Sequence, residues 1–190
     1  MNKIKDFPIH PIGMISIAFL DNDIQTFHDA CTFIQNLPYK RNSDKENLSL
    51  LFTEKCGTCS SKHAVLKQLC IEQNMEDIDL MIGVFKMNAI NTPPIHKTLE
   101  HYKLKYIPET HTYLKFQNEY FDFTKKGSSP EGFVDYLLYE EEILPNQINQ
   151  YKIELHQVYL KKWLKDTPEV NLTFDEIWRI REQCILNLSN

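Results

Sequence analysis

No apolar run in the chain approaches the roughly 20 residues that a membrane-spanning helix needs, so a membrane partner is not expected. A basic excess is missing too. The formal net charge of the 190-residue sequence is -5, whereas a general nucleic-acid binder needs a surface rich in Lys and Arg to neutralise phosphate. Nucleic acid is therefore not expected as a partner. There is no internal repeat, no low-complexity tract and no calcium-loop pattern. Cys56-Gly57-Thr58-Cys59 has no second Cys-x-x-Cys to complete a zinc site, and His63, His96 and His101 form no recognisable ligand pair. Neither a metal nor another cofactor is expected. Cysteine is sparse and odd in number: Cys31, Cys56, Cys59, Cys70 and Cys184 are scattered through the chain. That usage suits reduced thiols in the cytoplasm better than a disulfide framework. The start of the chain with the apolar stretch Met14–Leu20 imitates a signal peptide, but Pro8, His10 and Pro11 interrupt it. Asp21 and Asp23 then close it without a small-residue cleavage site.

What is present suffices for a real core. Hydrophobic residues make up 42% and aromatics 12% of the chain, enough for one domain with an appendage. Ile24, Phe27, Cys31 and Ile34 have helical spacing within Asp23 to Leu37, and Pro38 stops that helix. Ser43-Asp44-Lys45-Glu46 has the capping-box pattern ahead of Leu48, Leu50, Leu51 and Phe52, which predicts a helix running toward Lys55. Cys56-Gly57-Thr58 breaks it. Thr58 is a good N-cap, and Val65, Leu66, Leu69 and Cys70 form the apolar stripe of a helix from Cys59 to about Asn74.

Ile78 to Phe85 suits a buried strand, Asn88 to Pro94 a loop, and His96 to Tyr102 a helix. Thr110 to Phe116 and Glu119 to Thr124 alternate with period two around Gln117-Asn118, where Asn tolerates the positive φ of a tight hairpin. Three helical patterns follow: Glu131 to Ile143, Asn146 to Lys165, and one opened by the capping box Thr173-Phe174-Asp175-Glu176. The expected fold is thus α+β. Residues 1–130 form its core, and residues 131–190 a helical C-terminal extension packed on it as one structural unit.

Chemistry concentrates in Cys59, His111 and Asp122. A thiol attacks as thiolate, and a helix N-terminus and an imidazolium both favour that form. With Gln117 and Asn118 as the two loop residues, Phe116 faces Glu119 and Tyr113 faces Asp122. His111, two positions before Tyr113, then points to the same face as Asp122, at a diagonal spacing of roughly 7–8 Å between backbones. A three-residue loop would send Asp122 to the other face.

In this order and setting the residues resemble the transglutaminase-like fold of the papain-like cysteine enzymes. There a Cys opens a core helix packed on a small antiparallel sheet, and His and Asp follow on adjacent strands. The resemblance spans Ser43 to Thr124. It implies an acyl-transfer site: Cys59 as nucleophile, His111 as general base and then acid, and Asp122 holding the imidazole. The implied activity is that of an amide hydrolase or acyltransferase acting through a thioester on a peptide or small carboxamide. Ser60 stands where many members carry an aromatic residue, Tyr113 where many carry Trp, and Phe123-Thr124 where many carry Pro-Thr. The backbone N–H of Cys59 is one natural oxyanion donor; Tyr39, Asn42 and Gln35 are candidates for a second.

Two other functions start from the same residues: a non-catalytic interaction module of this fold, and a thiol–disulfide protein using Cys56 and Cys59. Elsewhere the ordinary expectation holds. His63, four positions after Cys59, is expected to hydrogen-bond at the helix surface, Lys62 to be solvated, and Glu140-Glu141-Glu142 to form a solvated helix end. Trp163 and Trp178 are expected to pack between helices, and Cys31, Cys70 and Cys184 to act as small buried hydrophobes.

Overall fold

Element boundaries follow from capping and turn chemistry. In the computed structural model, which describes residues 4–188, α1 spans Met14–Leu20 and α2 spans Phe27–Asn36. The second helix starts later than the apolar spacing predicts, because Asp23 is left-handed (φ 59°) and Thr26 is the N-cap, its side chain accepting from the N–H of Asp29. Helix α3 is only Leu50–Glu54. The expected capping box at Ser43 to Glu46 does not form. Asp44 instead accepts the Glu46 N–H at 2.8 Å and Asn47 the Ser49 N–H at 3.1 Å, local turns that compete with helix. Helix α4 spans Cys59–Glu72 as expected.

Strand β1 is Ile78–Met87, α5 is His96–His101, β2 is Ile107–Phe116 and β3 is Glu119–Phe121. The helix expected over Glu131 to Ile143 is absent. Two short 3₁₀ turns, Pro130–Gly132 and Val134–Tyr136, lead instead into β4, Leu137–Glu142. The sheet is antiparallel with order β3-β2-β1-β4. A short apolar run ending in three glutamates fits either period. Pairing decides it: past the end of β4, the Ile143 N–H donates to the Leu80 carbonyl of β1 at 2.8 Å. The glutamates thus charge an edge strand, which discourages pairing with another chain. Helices α6 (Gln150–Asp166) and α7 (Phe174–Leu188) end the described chain. Thr173 opens α7 with the predicted reciprocal box, its N–H donating to Glu176 at 2.7 Å.

The chain divides into two compact units, each built from three segments. The first runs to Ile82 and adds His111–Pro130 and Glu141–Asn149; the second is Gly83–Thr110, Glu131–Glu140 and the chain from Gln150. Residues 131–190 therefore contribute to both. In the first unit α4 packs against α1, α2 and the 3₁₀ turn Pro145–Ile148. It is buried on all sides rather than along one stripe, from Cys59 through Lys67 without a break and again at Leu69 and Cys70. Its last residue, Glu72, accepts the N–H groups of Ile15 (3.1 Å) and Ser16 (2.6 Å), satisfying orphan donors at the start of α1. In the second unit Arg181 of α7 grips Glu109 of β2 with two bonds of 2.7 and 2.6 Å. Trp163 packs in that unit and donates to the Tyr106 hydroxyl at 3.0 Å, and half-buried Trp178 lies against His156.

Candidate active site

The segment Pro38 to Lys40 fixes the approach to α4. Gly57 donates to the Pro38 carbonyl at 3.1 Å and accepts from Lys40 at 3.2 Å, in a parallel bridge with Tyr39. A Cβ on Gly57 would lie 2.9 Å from the Ser61 hydroxyl oxygen and 3.0 Å from Lys62 Cγ, so any side chain at this crowded position would force those neighbours to shift. Thr58 is extended (φ -90°, ψ 175°), and its N–H donates to the Ser61 hydroxyl at 3.0 Å. Cys59 is thereby the first helical residue. Its side chain is buried near the N-terminal end of the helix dipole.

The hairpin has the expected register. Gln117 (φ 50°) and Asn118 (φ 64°) are both left-handed, as a two-residue type I′ turn requires, and Phe116 pairs with Glu119, Lys115 with Tyr120, and Leu114 with Phe121. One step further sets Asp122 opposite Tyr113. His111 Nε2 and Asp122 Oδ2 lie 3.0 Å apart, and Asp122 Oδ1 accepts the Thr124 N–H at 2.9 Å. The other bond of the imidazole is to the Cys59 side chain. Because Asp122 occupies Nε2, Nδ1 is left for the thiol. Cys59, His111 and Asp122 are thus brought together.

Electrostatics follow from that contact. Burial would depress His111, but the Asp122 charge and hydrogen bond, with the Cys59 bond and charge behind them, raise it to about 10. Burial would likewise raise Asp122, but the His111 charge and hydrogen bond, then His63 and Thr124, hold it well below the usual carboxylate range. Tyr113 is fully buried, with its ring 6.1 Å from that of His111. Ser60 lies 3.4 Å from the Thr112 hydroxyl.

Two neighbours depart from expectation. His63 is not at a helix surface: it is fully buried, and its Nε2 accepts the Phe123 N–H at 2.8 Å. Its proton therefore sits on Nδ1 and is donated to the Cys59 carbonyl, also at 2.8 Å. Burial, opposed in part by Asp122, lowers it to about 4, so it is neutral. Lys62 is not solvated either. It too is fully buried, and its ammonium donates to the carbonyls of Leu37 (2.5 Å) and Thr124 (2.6 Å). The available sequence signal was spacing, since positions three and four after Cys59 share its helix face.

Among the oxyanion candidates, Asn42 is committed elsewhere: its amide donates to Glu54 and to the Cys56 carbonyl, both at 3.0 Å. All five cysteines are unbonded to one another and buried. Among the described residues no group of three or more His, Cys, Asp or Glu is arranged to hold a metal ion, and no helix is long and apolar enough to cross a membrane. No protein-family model, curated protein or solved structure matches the chain.

Proposed function

We propose that this chain is a cysteine-dependent amide hydrolase or acyltransferase with a papain-like or transglutaminase-like core. The observation that carries this reading is the line Cys59–His111–Asp122, in which a thiol at a helix start meets an imidazole held by a carboxylate 3.0 Å away. His111, raised to about 10, rests as an imidazolium beside the Cys59 thiolate, and Sγ of that thiolate attacks the carbonyl carbon of a peptide or small carboxamide. As the C–N bond breaks, the imidazolium gives its proton to the leaving amine and a thioester remains. Water or a second amine then adds to the thioester carbonyl, passes its proton to His111 and releases the thiolate. The Cys59 N–H at the start of α4 is suited to the developing oxyanion. Five unbridged thiols support a cytoplasmic setting.

Iodoacetamide labelling followed against pH in the parent, Cys56→Ala, Cys59→Ala and His111→Ala tests the proposal. The expected result is one thiol that reacts fast below pH 7, lost in Cys59→Ala, slowed in His111→Ala and retained in Cys56→Ala. A Cys59 that alkylates no faster than an ordinary thiol, with pKa near roughly 8.5, would end the catalytic reading. Dependence on both cysteines through a reducible disulfide would replace it with thiol–disulfide chemistry.

A further inference from the structure

We infer that Lys62 is a positioning residue: its buried ammonium offsets the Asp122 carboxylate, so that the His111 imidazolium is left to be balanced by a Cys59 thiolate. This rests on the cysteine-enzyme reading above. Lys62 sits one helical turn after Cys59, and its Nζ is tied to carbonyls on two separate segments. One is Leu37, next to the Pro38–Lys40 run that holds Gly57, and the other is Thr124, two residues past Asp122. A buried, strongly hydrated charge needs compensation. Its own burial, only partly relieved by the charges of Asp122, Cys59 and Cys56, lowers it to about 8, and its charge acts in turn on His63.

A count of charges gives the consequence. The titratable groups gathered here are Cys59, Lys62 and His63 of α4, Cys56 before it, His111 of β2 and Asp122 beyond β3. His63 is neutral. With a protonated thiol, an imidazolium, a carboxylate and the Lys62 ammonium, the cluster carries one net positive charge, and release of the thiol proton brings it to zero. Without Lys62 the same thiol, imidazolium and carboxylate are already neutral. Releasing the proton would then leave a net negative charge in a desolvated place, which raises the thiol pKa. His111 alone does not distinguish these cases, because Asp122 satisfies it whether or not the thiol ionises.

The test is the same pH-labelling profile in Lys62→Gln, Lys62→Met and Lys62→Arg, with circular dichroism to establish folding. Gln keeps two amide donors for the two carbonyls but removes the charge, Met removes both, and Arg keeps the charge. The expected result is a labelling rate below pH 7 at least about tenfold lower in either neutral variant, with the rise displaced to higher pH, and a profile close to the parent in the Arg variant. A folded neutral variant whose profile superimposes on a fast parent overturns this inference alone, as does a folded Arg variant that labels as slowly as the neutral ones. A parent thiol of ordinary reactivity overturns the cysteine-enzyme reading and this inference with it.

Discussion

Two imidazoles stand beside one carboxylate, and their surroundings drive them to opposite protonation states. His111 lies 3.0 Å from Asp122 Oδ2 and is raised to about 10, whereas His63 lies 3.7 Å from Oδ1 and is lowered to about 4. What separates them is the partner of Nε2. On His63 that nitrogen accepts the Phe123 N–H and so has no proton to offer the carboxylate. On His111 the carboxylate itself faces Nε2 and stabilises the imidazolium. Asp122→Asn removes the charge that lifts His111, so the imidazole stays neutral at lower pH and the ion pair with the thiol weakens. Labelling of Cys59 at pH 6 is expected to slow by about tenfold or more, read from the same alkylation series. An unchanged rate would mean that the carboxylate only orients the ring.

At the scale of elements, the site depends on two short connections, the Gly57-Thr58 entry to α4 and the Gln117-Asn118 turn. Gly57→Ala would press a methyl group against the Ser61 hydroxyl and Lys62 Cγ. It is expected to cost about 1–3 kcal/mol, the usual range for overpacking, and to lower Cys59 labelling as the first turn shifts. Urea unfolding and labelling rate check the two effects separately. Both connections were legible in the sequence. Thr58 as an N-cap and Asn118 in a two-residue turn are local chemistry, and local chemistry also set the parity of the hairpin. Non-local causes were hidden. The run Leu137 to Glu142 becomes a strand because β1 lies beside it, and Lys62 is buried because two distant carbonyls receive it. Neither partner can be found from periodicity. The helix expected over Ser43 to Lys55 erred in the other direction, since Asp44 and Asn47 carry turn chemistry of their own that a capping-box pattern conceals.

For the molecule as a whole, buried histidines set the pH response. His63 has a folded pKa of about 4 against an ordinary 6.5. Between those values the unfolded chain binds a proton that the folded chain refuses, so stability falls as pH drops. The loss from His63 alone is on the order of 3 kcal/mol. His156, lowered chiefly by burial, acts in the same direction. His111 works at the other limb. Its raised pKa contributes stability that is fully present below 6.5 and is lost as pH rises toward about 10. Lys62, lowered to about 8, costs most below that value and is relieved above it, which makes the alkaline decline shallower. Urea midpoints measured from pH 4 to pH 10 are expected to peak near neutrality and fall more steeply on the acid side. A flat acid limb would mean that His63 is protonated in the folded chain.

The Gln117-Asn118 turn also limits how this chain can change through descent. Surface loops are where proteins ordinarily gain and lose residues, but here a single inserted residue would turn Asp122 away from His111 in one event. At this hairpin, inherited changes in length that keep the carboxylate in place must come two residues at a time.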